Sequence, residues 1–515
     1  MKCRVLLVAA LAVFSGSVFA QGEMDAYKLS QTDLTGTARS VSMGGAFGAL
    51  GGDISGIAIN PAGIGVYRSS EIVTTLNFQN TKTTVESNLM KADDSKFKFS
   101  FDNLAFVTSF PLYSDAVPYL NFGFSYNRVK NFDRVYNMGV TNPNGRTLAH
   151  YMAQRTNEVN FGGKDPGKTL GELDGDYLVA LDNYDWMAVF GYNSGLIGIG
   201  GDGKFNVLDQ LRNADSDNYM YVREKGSIST YDFNVGTTIS DIVSIGLTFS
   251  ITDLKYRMYS QYDEQYTQES YAWLDNDLRT DGTGIQVTAG VIVKPINELR
   301  IGLAYHSPTW YNMTDSYAAD FEYNLEEYGL EKEGWIYTDF YDYDYRLRTP
   351  DKWTASIAGI IGQTAILSAD YEYTNYGGSM KLFDDYGDPL SHDPNIDIKN
   401  HFKGASTVRV GAEVRFTPQF SARVGYQWRQ SPLEKNFKDK KEEVMTTGSI
   451  NHFTLDGDTN YFTYGLGYRF TRNFYTDIAF VMRTQKSDMY TFDLSEKSDW
   501  KDNTFQGLLT LGYKF

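Results

Sequence analysis

The sequence predicts an all-β protein. It is read as a fourteen-stranded antiparallel transmembrane β-barrel with an N-terminal glycine-rich hatch plugging its lumen and helical insertions in its extracellular loops. Three observations carry this reading. Alternating segments recur from Ser69 to Phe515, joined in turn by short turns and long polar loops. No apolar run beyond residue 20 is long enough for a helical span, a test that barrel strands escape because lipid-facing and lumen-facing residues alternate along them. A segment dense in glycine precedes the first strand.

The chain opens with Lys2 and Arg4, an apolar run over Val5 to Phe14, and Ser17-Val18-Phe19-Ala20. This is the layout of a secretory signal peptide cleaved after Ala20, because the apolar run is too short to span a bilayer. Cys3 precedes the apolar run and is therefore not a lipidation cysteine. The mature chain would begin at Gln21 with no cysteine, so an exported protein of this size needs a closed hydrogen-bonded architecture rather than disulfides. Its 47 basic and 64 acidic residues give a net charge of −17, and loss of Lys2 and Arg4 takes this to −19. That balance excludes nucleic acid as a partner. Tyrosine (38) and phenylalanine (32) are heavily used and proline (12) is scarce, as long strands with aromatic girdles require. The resulting division is 1–20 signal peptide, 21–68 hatch and 69–515 barrel.

Turn positions place strands near 69–80, 97–111, 118–131, 226–240, 242–260, 283–295, 298–308, 346–360, 364–376, 403–416, 419–430, 460–471, 474–485 and 503–515. The count is even and both termini lie on the short-turn side, which would be periplasmic. Val408, Val410, Ala412, Val414 and Phe416, for example, alternate with Arg409, Gly411, Glu413 and Arg415. The longest loop, about 132–225, reads as helical over Leu148–Val159 and Asp176–Phe190. In the last strand Tyr513 and Phe515 end an alternating apolar face and resemble the terminal signal read by the barrel assembly machinery. A soluble sandwich or propeller would also alternate, but would not place Trp and Tyr opposite charged residues in strand after strand.

Within residues 36–67, Gly44, Gly45, Gly48, Gly51, Gly52 and Gly63 permit close backbone approach, and Asn60-Pro61-Ala62 marks a turn. A phosphate-cradling loop is the competing reading. It lacks the βαβ context and the lysine such loops use. The stretch Gly36 to Gly63 resembles the N-terminal hatch of the FadL/TodX family of outer-membrane transporters of long-chain fatty acids and other hydrophobic compounds. Gly282 to Pro308, Arg348 to Asp370, Arg409 to Pro432 and Tyr464 to Phe470 resemble that family's successive hairpins. The resemblance implies a monomeric barrel in the outer membrane, ligand capture between extracellular loops, a hatch rearrangement, and lateral release at an inward kink of the third strand. Gly123 would permit such a kink or would simply face the lumen. Outer-membrane lipid and lipopolysaccharide would surround the barrel, and no cofactor is implied.

Inward-facing charges gather on the late strands: Arg300, Arg409, Arg423, Arg429, Glu413 and Asp370. The turn at Thr417–Gln419 would set Glu413 across from Arg423. Two roles stay open, a lumenal ion-pair network that holds the plug and a site for a fatty-acid carboxylate. Tyr311, Trp335, Tyr337 and Phe340 would form an apolar capture groove in a loop near 309–345, or a packed loop with solvated carboxylates. His150, His306, His392, His401 and His452 have no metal-ligand spacing, so no metal site is expected; a heme or surface-ligand receptor is the alternative function. No serine shows the partners of a hydrolytic triad, and no catalytic residue is assigned.

Overall fold

The computed structural model describes residues 22–143, 145–159, 165–171, 185–266, 269–326, 333–338, 340–362, 364–390, 394–444 and 446–515. The expected signal peptide, Gln21 and His392 lie outside them. The wall is a closed antiparallel barrel of fourteen strands. They are β1 (Glu71–Glu86), β2 (Lys91–Pro111), β3 (Tyr119–Asn131, continued by Arg134–Asn142), β4 (Ser216–Ile239), β5 (Val243–Gln265) and β6 (Tyr271–Ile296). Next come β7 (Leu299–His306, continued by Trp310–Asn324), β8 (Lys352–Ile361, preceded by Glu333–Tyr337 and Tyr341–Arg348) and β9 (Ala365–Asn375). The wall finishes with β10 (Gly404–Arg415), β11 (Phe420–Arg429), β12 (Phe453–Arg469), β13 (Phe474–Tyr490) and β14 (Ser498–Lys514). Each strand pairs with its sequence neighbour, and β1 closes on β14 from Glu71↔Lys514 to Glu86↔Asp499. Closure leaves no sheet edge in the hydrocarbon, the condition for a spanning sheet.

The short turns are built from local hydrogen bonds and left-handed backbone. The Thr417 hydroxyl accepts from the Phe420 amide at 3.0 Å, and Thr471 does the same for Phe474 at 2.9 Å. Ser240 and Asp241 take φ of 51° and 53° between β4 and β5, the geometry that a two-residue hairpin turn demands.

All fourteen expected strands are present, but they stand taller than the sequence pattern suggests. β4, β5 and β6 contain 24, 23 and 26 residues. Much of what reads as loop at 81–96, 261–282, 309–345 and 486–502 is strand. The reason is physical. Below, the outward positions touch lipid and are apolar, such as Phe233, Leu247 and Val287. Above the membrane the same face meets water, becomes polar, and the alternation vanishes although the ladder continues.

Two helices lie inside the bore, α1 (Glu23–Ser30) and α2 (Ala38–Ser42). The first expected loop helix is found at α3 (Leu148–Glu158); of the second, expected over Asp176–Phe190, residues 176–184 lie outside the described set, and the helix described there runs Trp186–Ser194. These helices roof the barrel. The Leu148 amide donates to both Glu264 oxygens at 3.1 and 2.9 Å, a carboxylate at a helix N-terminus. Phe190 stacks on Phe321 at 5.4 Å and Tyr151 meets Phe492 at 5.9 Å.

Candidate functional site

Residues 22–67 run down the bore from the roof to the short-turn end and then enter β1. Small residues make this path possible, and the wall matches them. Inward-facing glycines of the strands lie against hatch backbone. A Cβ at Gly302 would stand 2.2 Å from the Gly48 carbonyl oxygen, and one at Gly246 2.2 Å from that of Pro61. Gly411 and Gly425 would meet Met43, and Gly290 would meet Asn60. Gly123 would meet Ile64 at 2.9 Å.

Polar side chains then tie the hatch to this cradle. The Asn60 amide donates to the carbonyls of Gly48 (2.7 Å) and Val291 (3.2 Å), and its oxygen accepts from the Ala62 amide at 3.1 Å. Asn121 donates to Ile64 O at 2.8 Å, and Thr238 to Gly65 O at 2.7 Å. Thr510 caps α2 by accepting from the Ala38 amide at 2.7 Å.

The six charges singled out on the late strands all sit along this interface. Asp370 accepts from the Gly48 amide at 3.0 Å, Arg300 donates to Leu50 O, and Arg429 donates to Thr32 O at 2.6 Å. Glu413 stands opposite Arg423 in the ladder and receives hatch Arg39 at 3.0 Å and Arg423 at 2.6 Å. Arg423 continues to Asp477. Arg409 pairs with Glu372 at 2.9 Å. Every one of these cations faces a carboxylate or a hatch carbonyl.

A different region contains a partly open cavity of about 100 Å³, near the top of the hatch. Its apolar lining comes from Met24, Phe132, Tyr136, Met258, Leu278 and Ile450. Most of its charges are paired: Lys28 with Glu224 (3.1 Å), Arg134 with the same Glu224, Lys130 with Asp33 (3.1 Å) and Arg483 with Asp502 (3.2 Å). Asp25 and Asp456 also line it, hydrogen-bonded to Thr447 and to Gln31 and Ser487. Ion pairing lowers the cost of covering such walls with an apolar guest.

The barrel wall beside this cavity is incomplete. β2 pairs with β3 only from Asn103↔Asn127 to Pro111↔Tyr119. Above that, among the described residues, the 91–102 half of β2 is laddered to β1 alone. β3 shifts register at Arg128/Lys130 and is interrupted at 132–133. Side chains bridge the seam. Lys98 reaches Asp133 at 3.1 Å, and Asp94 accepts from the amide and side chain of Asn137 at 2.8 and 2.9 Å. The irregularity of β3 is therefore at 128–133 and not at Gly123, which is paired on both sides with Val107 and Asn234. Its missing side chain makes room for Ile64 instead.

The four aromatics expected to form a capture groove are not on one surface. Tyr311 is buried and points into the bore, whereas Trp335, Tyr337 and Phe340 are exposed on the outside of the strand extensions. The segment folds as separate strands: in Trp310–Asn324 the odd positions face the bore, whereas in Glu333–Tyr337, paired Glu322↔Trp335 and Asp320↔Tyr337, the odd positions face outward. Tyr513 and Phe515 face outward at the lower rim, where Phe515 stacks with Phe106 at 6.2 Å. The described histidines are scattered. His150 bonds within the α3 cap, His306 meets Ile59 O, and His401 lies between Glu23 and Glu442. His452 lines the cavity. Lys98, Asp133 and the wall glycines carried no signal in isolation; glycines recurring in the inward phase of successive strands would have revealed the cradle.

A family model described as "Outer membrane protein transport protein (OMPP1/FadL/TodX)" matches residues 227–507. Among solved structures, a Pseudomonas aeruginosa FadL homologue is similar at 13% identity with a TM-score of 0.55, over 94% of this chain and 99% of that one. The toluene transporter TodX of P. putida is similar at 12% identity with a TM-score of 0.50, over 94% and 99%. A search of curated proteins finds no relative.

Proposed function

The chain belongs to the OMPP1/FadL/TodX family of outer membrane transport proteins, and from that premise we propose that it takes up long-chain fatty acids or similar hydrophobic small molecules passively. Ligand held under the roof enters the apolar cavity beside α1. Rearrangement of the hatch then lets it leave sideways through the seam between β2 and β3. The observation that carries this route is the juxtaposition of the cavity with that seam: Phe132 and Asp133 line the cavity and also form the interruption of β3. A guest moving from there into the bilayer never has to cross the hatch-filled lower bore. The ion pairs around the cavity lower the cost of placing an apolar body there. In this reading the terminal Tyr513 and Phe515 serve barrel assembly, and the protein acts as a monomer among outer-membrane lipid and lipopolysaccharide.

The test is a reversible cross-link. Lys98→Cys with Asp133→Cys, bridged by a disulfide-containing bis-maleimide that replaces the reach of the lysine side chain, joins the two edges of the seam. In proteoliposomes, the bridged double variant is expected to lose oleate uptake and to regain it on reduction. Uptake that is indifferent to the cross-link would defeat the lateral route.

A further inference from the structure

The long strand extensions carry a second surface, on the outside of the barrel and far from the cavity. In the ladder, Tyr219 of β4 lies opposite Asp263 of β5, Asp263 opposite Trp273 of β6, Trp273 opposite Glu322 of β7, and Glu322 opposite Trp335. All five are on the outward face. The three aromatics are 41%, 38% and 63% exposed. Aromatic ring and carboxylate thus alternate across five adjacent strands. With strands about 4.8 Å apart, successive rings recur at about twice that distance.

Neighbouring side chains hold the strip in place. The Trp273 indole N–H donates to Asp275 at 2.7 Å, and the Tyr259 hydroxyl donates to the other oxygen of Asp275 at 2.8 Å. Tyr271 donates to Glu322 at 2.7 Å. Trp335 packs against Tyr337 at 4.9 Å. At one end a cleft of about 540 Å³ opens between this face and the β1–β2 hairpin, with Asp94, Asn137 and Tyr221 on its walls. Asp275 also lies directly opposite Asp320, a like-charge pairing that costs stability.

The strip is too high to be a membrane girdle. Ile285 on β6 still faces outward among apolar neighbours, and Trp273 stands twelve residues above it. At about 3.3 Å per residue and a tilt of about 40°, that is roughly 30 Å beyond the apolar band. Solvent-exposed tryptophans there serve neither lipid nor core.

We propose that this face binds an extended, uncharged polysaccharide of the surface layer in which the barrel stands. Flat rings stack on the apolar faces of pyranose units, and carboxylates between them accept hydrogen bonds from sugar hydroxyls. One sugar of a straight β-linked chain advances by about one strand spacing, so every second unit meets a ring. The row of acids selects against a polyanion. This site is independent of the transport reading.

Titration calorimetry on the full-length protein in detergent tests it, with cellohexaose as the straight-chain probe. Maltohexaose, which curls, and a polygalacturonate hexamer, which is anionic, are the comparators. Cellohexaose is expected to bind most tightly. Trp273→Ala and Trp335→Ala should each weaken binding by about ten-fold while leaving heat-modifiable gel mobility and oleate uptake unchanged, since both side chains are exposed. No binding of cellohexaose, equal binding by the tryptophan variants, or equal affinity for either comparator overturns the proposal.

Discussion

Substituting Gly302 by alanine should loosen the plug without opening the wall. The new Cβ would sit 2.2 Å from the Gly48 carbonyl oxygen, where ordinary contact begins at 3.4 Å. One side must retreat by about 1.2 Å. The wall cannot, because Gly302 is laddered on both sides, to Ile292 of β6 and Ser356 of β8. The hatch must move, and the same Gly48 carbonyl then loses its 2.7 Å bond from Asn60. Overpacking of this kind costs about 1–3 kcal/mol, and the lost buried bond adds about 1 kcal/mol. Gly246→Ala makes an equivalent clash with Pro61. Gly359→Ala is the control, because its Cβ meets nothing within 4 Å. In planar bilayers both test variants should show frequent open events where the control stays closed. All three should keep the heat-modifiable mobility of a folded barrel. If Gly302→Ala conducts and melts like the control, contact between wall glycines and hatch backbone is not what seats the plug.

Glu413→Ala leaves Arg39 and Arg423 facing each other across a buried gap and should cost about 3–5 kcal/mol, read as a lowered melting temperature with increased conductance. The His401 imidazole is opposed by burial, but Glu23 and Glu442 outweigh this and raise its pKa above the ordinary histidine range. A raised histidine pKa contributes stability below the unfolded value that is lost as pH climbs through the folded one. The protection factors of the α1 amides, exchange being corrected for its intrinsic base catalysis, should therefore fall on raising the pH through that range, and His401→Gln should abolish that fall. Burial, with the adjacent Glu158 carboxylate, pushes Glu443 up to about 8. The folded state then holds the extra proton, so stability falls as pH rises from the ordinary carboxylate range towards 8. Glu443→Gln should flatten that decline in a melting-temperature series.

The amino-acid sequence alone determined the barrel, its strand count and its plug. The lipid-facing alternation of Val408, Val410 and Val414, the short turns at Thr417 and Thr471, and the glycines from Gly44 to Gly63 are local signals, each written within a few residues. What was not legible depends on pairing between strands. Above the membrane, β4 to β7 keep their ladders but lose the apolar alternation, so their upper halves read as loops and Trp335 and Tyr337 were expected in a groove. The charges on β10 and β11 left two roles open, because only the path of the hatch shows that Arg39 completes the pair at Glu413 and Gly48 takes up Asp370. The seam between β2 and β3 is equally invisible from either strand by itself. Hydrophobic periodicity reports which face of a strand meets lipid; which strand ends stay paired, and which backbone passes beside each inward glycine, is settled only when the wall closes around the hatch.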